Sequence, residues 1–139
     1  MLALMMREIQ TMLKLTSDPR NISKVEAFVE KIVRRYKISP DKYGNILITL
    51  TEAVNNAIIH GNSKDQSKTV QIQLLKHNDH LAFRISDEGR GFDYQSLPDP
   101  TTPDNLLQVG GRGVFIMQQL SDKLKFHNNG STVEIQFKL

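Results

Sequence analysis

The chain of 139 residues has no cysteine and no tryptophan. Without thiols there is no disulfide framework and no thiolate metal site, and a cytoplasmic home is expected. Long apolar runs are missing too. The opening MLALMM is six residues long and then meets Arg7 and Glu8. It lacks a basic leader region and is too short for a signal peptide or a membrane span, so no membrane partner is expected. Charge of one sign is also scarce, since 18 Lys and Arg against 15 Asp and Glu leave a net +3. The only basic cluster is KIVRRYK, with no aromatic interleaving and no recognition-helix signature. Direct nucleic-acid binding is therefore not expected. Of only 8 glycines and 5 prolines, five glycines and three prolines fall between 87 and 113.

What is present is ordinary for a soluble domain: 39% hydrophobic and 24% charged residues. The length fits one domain, 1–139, with a single core. No repeat, low-complexity tract or linker divides it.

The elements follow from periodicity. REIQTMLKLT carries Ile9, Leu13 and Leu15 on one parity and reads as a strand. Val25, Phe28, Val29, Ile32 and Val33 recur at helical spacing, with Asn21 or Ser23 as cap. SPDKYGNILITLTEAVNNAIIHG predicts a second helix, with Ser39 to cap it, Pro40 at its first position and Gly61 to end it. TVQIQLLKH and HLAFRIS alternate as a hairpin around NDH. Residues 87–113 break the pattern, and an irregular stretch of that size is usually functional. GVFIMQQLSD reads as a third helix. KLKFHN and STVEIQFKL close the chain around NNG, with Val133, Ile135, Phe137 and Leu139 on one face. The expected fold class is α/β (α+β), a two-layer sandwich. Its sheet would be mixed, mainly antiparallel, with three helices on one face.

The second helix poses a question. Ile48, Leu50, Ala53, Val54, Ala57, Ile58 and Ile59 read as buried, yet Glu52, Asn56 and His60 stand among them. Polar groups in apolar company are costly unless paired. Spaced four apart, these three form a slanting row on one side of the helix. Either they satisfy one another and nearby backbone, or they face a cleft holding a cation and a polyanion. Magnesium takes oxygen ligands such as an Asn carbonyl, and a Glu one turn earlier can accept a proton.

Two further motifs bear on the choice. DEGRGF, residues 87–92, follows a buried strand. A carboxylate there can accept from an exocyclic amine, while glycines let the backbone approach a flat ring. GGRG, residues 110–113, opens a helix, and glycines before a helix N-terminus make a cradle of N–H groups for phosphate. Neither a Gly-Lys-Ser/Thr loop nor the dinucleotide fingerprint is present, Ile116 standing where the third glycine would be.

In this order, EAVNNAIIHGN, DEGRGF and GRGVFIM resemble the GHKL ATPase superfamily. The wording of the first motif is most similar to the bacterial anti-sigma factor serine/threonine kinases, and the resemblance covers nearly the whole chain. It implies a Bergerat fold that binds ATP and Mg2+. By position, it implies Glu52 as general base and Asn56 as the magnesium ligand. Asp87 would bond the adenine amine, and Thr132 would support that contact through water. Gly89 and Gly91 match the first glycine box, Gly111 and Gly113 the second, and 94–109 the ATP lid. Arg112 lies inside the phosphate box, where it either steadies a phosphate or points to solvent. His60 and Asn62 either position the helix end, the preferred structural reading, or touch phosphate. The activity implied is that of a protein serine/threonine kinase and anti-sigma factor. It would bind a sigma factor and phosphorylate a STAS-type antagonist, usually as a homodimer. The competing expectation is a non-catalytic, ATP-gated binding module in a partner-switching pathway.

Overall fold

The computed structural model describes residues 8–91 and 109–139, with side chains from 11 to 91 and from 113 onward. Strand β1 (Glu8–Thr16) is followed by a short 3-10 turn (Pro19–Asn21), then α1 (Ile22–Arg35) and α2 (Pro40–Asn56). A π-helical turn (Ala57–Gly61) extends α2. The hairpin β2 (Thr69–His77) and β3 (His80–Ser86), helix α3 (Val109–Leu120) and the hairpin β4 (Lys123–His127) and β5 (Thr132–Lys138) complete the chain.

The five strands lie in the order β1-β2-β3-β5-β4, and every pairing is antiparallel. Register explains the two layers. Leu13, Ile72, Ile85, Val133 and Phe126 stand opposite one another in one row across all five strands. Two residues along, Leu74, Phe83, Ile135 and Leu124 repeat the pattern. Successive side chains alternate faces, so these rows share a face. They pack with Val25, Phe28, Val29 and Ile32 of α1, Leu50 and Val54 of α2, and Val114 and Met117 of α3. The intervening row, Met12, Gln73, Arg84, Glu134 and Lys125, lies on the other face.

Helix starts deviate from the expected caps. Asn21 precedes α1 but does not cap it, its Nδ2 donating instead to the Thr16 carbonyl and hydroxyl. Asp18 caps the preceding 3-10 turn by accepting from the Arg20 N–H. Ser39 has the extended backbone of a cap but no side-chain cap bond. Helix α3 begins at Val109, so Gly110, Gly111 and Gly113 lie inside it rather than ahead of it. Glycine is unfavourable in a helix by about 1 kcal/mol but not excluded, and sequence alone could not place that boundary. Ile48 also departs from expectation. It is 48% exposed, not part of the core. Among the described residues, no helix is long and apolar enough to cross a membrane.

Candidate functional site

Between the end of α2, the start of α3 and the sheet lies a cavity of about 240 Å³. Its apolar wall is Ile85, Val114, Met117, Phe126 and Val133. The polar lining includes Asn56, His60, Asp87 and Ser131. A concave apolar pocket with a few converging polar groups is the usual form of a small-molecule site.

The turn after β3 holds Asp87 in place. The Asp87 N–H donates to the Ser131 carbonyl at 2.9 Å, which fixes the strand end against β5. One carboxylate oxygen accepts the Gly89 N–H at 2.7 Å, the local turn that aspartate favours. Burial pushes the Asp87 carboxyl above its ordinary range, against the lowering pull of the Gly89 N–H and of the Lys68 charge. Glycines permit this packing. A Cβ at Gly61 would lie 2.3 Å from Asp87 Oδ2, and one at Gly89 would lie 2.1 Å from the Gly61 carbonyl oxygen. Gly91 holds φ +84 and would put a Cβ 1.9 Å from the Asn129 carbonyl oxygen, so only glycine fits.

The row on α2 divides between the cavity and the side of α3. Asn56 and His60 line the cavity. Glu52, one turn earlier, stands beside α3: a Cβ at Gly113 would lie 3.0 Å from Asn56 Nδ2 and 3.2 Å from Glu52 Oε2. The N-terminal part of α3 therefore abuts the acid and the amide. The π-helical turn falls directly after Asn56. Such turns recur at functional sites because they re-aim side chains within a helix.

Of the residues expected from sequence, Asn56, Asp87 and Gly91 meet at the cavity, while Glu52 and Gly113 adjoin Asn56 beside it. Gly89 packs behind Asp87 against Gly61. Gly111 lies in the first turn of α3, as does the backbone of Arg112, whose side chain lies outside the described residues. The expected lid, 94–109, also lies outside them except for Val109. Thr132 is not in the lining. Its hydroxyl donates to Ser86 Oγ at 3.1 Å and accepts from Asn128 Nδ2 at 3.3 Å. Ser131 lines the cavity instead. Strand parity carried the signal, because 131 shares the parity of Val133, Ile135 and Phe137 and 132 does not.

Asn62 acts behind the site. It is 1% exposed. Its Nδ2 donates to Ser17 Oγ at 2.8 Å and to the Thr69 carbonyl at 3.0 Å, and its Oδ1 accepts the Glu88 N–H at 2.8 Å. One side chain thus joins the end of β1, the start of β2 and the turn after β3, in keeping with its expected structural role.

Among the described residues, no group of three or more His, Asp or Glu is placed to hold a metal alone. The Asn56 amide beside the Glu52 carboxylate offers hard oxygens. That donor set suits magnesium shared with phosphate oxygens rather than a closed protein cage.

The histidine kinase-like ATPase domain family matches residues 15–137. The chain is similar to proteins named serine-protein kinase RsbW. The one from Bacillus subtilis is 28% identical over 128 residues, 87% of this chain and 80% of that protein. That of Oceanobacillus iheyensis is 24% identical over 122 residues, 84% of this chain and 77% of that protein. The counterpart in Listeria monocytogenes is 24% identical over 128 residues, 87% of this chain and 82% of that protein. With its antiparallel sheet, its three helices and a match spanning most of its length, the chain belongs to the histidine kinase-like ATPase domain family, whose members bind ATP.

Proposed function

We propose that this chain is a single-domain protein serine kinase and anti-sigma factor, which binds a sigma factor and transfers the γ-phosphoryl group of ATP to a serine of a STAS-type antagonist. The observation that carries the reading is the convergence of Asp87 and Asn56 on one cavity, with Glu52 and Gly113 beside Asn56. The similarity to serine-protein kinases supports the choice of acceptor.

Each residue has a separable task. The Asp87 carboxylate accepts from the adenine amine, and Ile85, Val114, Met117 and Val133 enclose the base. Asn56 would hold a magnesium ion through its amide oxygen, and the bound ion would neutralise phosphate charge. The α3 N-terminus presents backbone N–H groups and a favourable dipole to the phosphates. Glu52 accepts the proton of the serine hydroxyl as the serine oxygen bonds to the γ-phosphorus and ADP leaves. Catalysis of this type rests on positioning and charge neutralisation, with general-base help worth roughly 10²–10⁴-fold.

The test is phosphotransfer from γ-labelled Mg·ATP in lysate of the source organism, with Glu52→Gln as control. The expected result is one small labelled protein, lost with the variant while the variant still binds ATP. Equal labelling by the variant would remove Glu52 from the base role. ATP binding with no labelled protein would indicate a nucleotide-gated binding module instead.

A further inference from the structure

Four lysines and arginines among the described residues are half-buried: Lys42, Lys68, Lys76 and Arg84. Three of them have partners. Lys42 donates to the Lys138 carbonyl, Lys76 donates to the Asn78 carbonyl, and Arg84 pairs with Glu134. Of the four, Lys68 alone makes neither a side-chain hydrogen bond nor an ion pair among the described residues. Withdrawing an ammonium from water is unfavourable unless something offsets it. The fold does not ask for this side chain. Lys68 is held through its backbone: its N–H donates to the Asp65 carbonyl, and its carbonyl accepts from the Ser17 N–H and hydroxyl.

The sheet brings the unpaired cation to Asp87. Strands β2 and β3 pair Gln71 with Ser86. Continued in register, Thr69 stands opposite Glu88, and Lys68 stands opposite Gly89 and diagonal to Asp87. The Glu88 carboxylate holds that register past the last strand pair, accepting from the Thr69 N–H at 2.5 Å and from the Thr69 hydroxyl at 3.2 Å. Alternation sets Lys68 on the face of Val70 and Ile72, and Asp87 on the face of Ile85, which is the side the helices cover. Diagonal neighbours stand about 7–8 Å apart, within reach of a lysine stem. The other groups around Asp87 do not take this part. His60 lines the cavity, Glu88 is engaged with Thr69, and Lys64 and Arg90 are exposed. The end of β5 and helix α3 bring only the uncharged Ser131, Val114 and Met117. Lys68 is the one side-chain charge that acts on Asp87, and it favours the ionised form.

We infer that Lys68 is a positioning residue, the counter-charge that holds the Asp87 carboxylate ready to accept from the exocyclic amine of the nucleotide base. This rests on the reading of Asp87 as the amine acceptor. A protonated carboxyl would turn a hydroxyl hydrogen toward an amine that also presents hydrogen, so an acceptor would become a second donor. Packing between Gly61 and Gly89 buries the carboxylate and favours that protonated form. A nearby cation opposes it. Lys68 does not line the cavity, so it acts through Asp87 and leaves the space for the base open.

The experiment uses the full chain as wild type, Lys68→Met, Lys68→Arg, Asp87→Asn and the double variant of Lys68→Met with Asp87→Asn. Methionine keeps most of the stem and removes the charge. Affinity for a fluorescent ATP analogue with Mg2+ is titrated at about pH 8 and at about pH 5, on either side of which the carboxylate gains or loses its proton more readily. Thermal unfolding is followed in parallel without nucleotide. The expected result is that Lys68→Met binds within about twofold of wild type at the higher pH and at least about threefold more weakly at the lower one. Lys68→Arg should follow wild type at both. Without nucleotide, Asp87→Asn should raise the neutral-pH melting midpoint more in the Lys68→Met background than in wild type, because the buried carboxylate there has lost its counter-charge. Either a wild-type pH profile in Lys68→Met or an equal thermal gain in both backgrounds overturns the pairing and leaves the Asp87 reading standing. Weakening by one factor at both pH values assigns Lys68 to attraction of the phosphates and also overturns it. Wild-type nucleotide affinity in Asp87→Asn overturns the amine-acceptor reading and this inference together.

Discussion

Replacing Asn62 with alanine removes three hydrogen bonds from a side chain that is 1% exposed. At about 1 kcal/mol net for each bond, the loss is about 3 kcal/mol. Unfolding entropy of about 2.1 cal/mol/K per residue over 139 residues gives about 0.29 kcal/mol/K. The melting midpoint should therefore fall by about 10 °C. Calorimetry or circular dichroism reads this directly. Ser17→Ala removes two hydrogen bonds, the one its hydroxyl accepts from Asn62 and the one it donates to the Lys68 carbonyl, and should cost about 2 kcal/mol, or about 7 °C. The double variant should lose less than the sum, since both changes break the same Ser17–Asn62 bond. Nucleotide affinity should fall severalfold in Asn62→Ala at a temperature where the variant is folded. Asn62 does not line the cavity, but it holds the Glu88 N–H next to Asp87. A midpoint shift under about 4 °C, or full additivity with Ser17→Ala, would refute the view that this side chain ties three segments together.

Two further outcomes concern the site itself. Asp87 has its carboxyl raised above the ordinary value of 3.8 by burial. Its folded form thus binds the proton more tightly than its unfolded form, and stability falls as pH rises through that window. Asp87→Asn should accordingly unfold at a higher temperature than wild type at neutral pH while losing ATP binding. The thermal gain should vanish below about pH 3.8, where both states of wild type are protonated; a gain independent of pH would refute burial as the cause. Gly89→Ala would drive a Cβ to 2.1 Å from the Gly61 carbonyl oxygen, where backbone must move. A loss of about 1–3 kcal/mol with nucleotide affinity down at least tenfold is expected by thermal melts and titration, and wild-type values would show that the Gly61–Gly89 contact is dispensable.

The layers were legible from pattern along the chain. Alternation in TVQIQLLKH, HLAFRIS and STVEIQFKL has period two, and the helices carry apolar residues at three and four, so each element declares which side it buries. Local chemistry also placed Asp87 at a strand end and Glu52 and Asn56 on one side of a helix. Tertiary structure decided what those sides meet. Ile48 has the hydropathy of a core residue and is exposed, because burial depends on whether another element covers a given helix face. The reach of Asn62 to Ser17 and Glu88 spans 45 and 26 residues of sequence, and no local pattern records such partners. Gly61 read as a helix terminator, yet it also gives Asp87 and Gly89 room to pack. Periodicity is a property of neighbours along the chain, whereas a site is a property of neighbours in space.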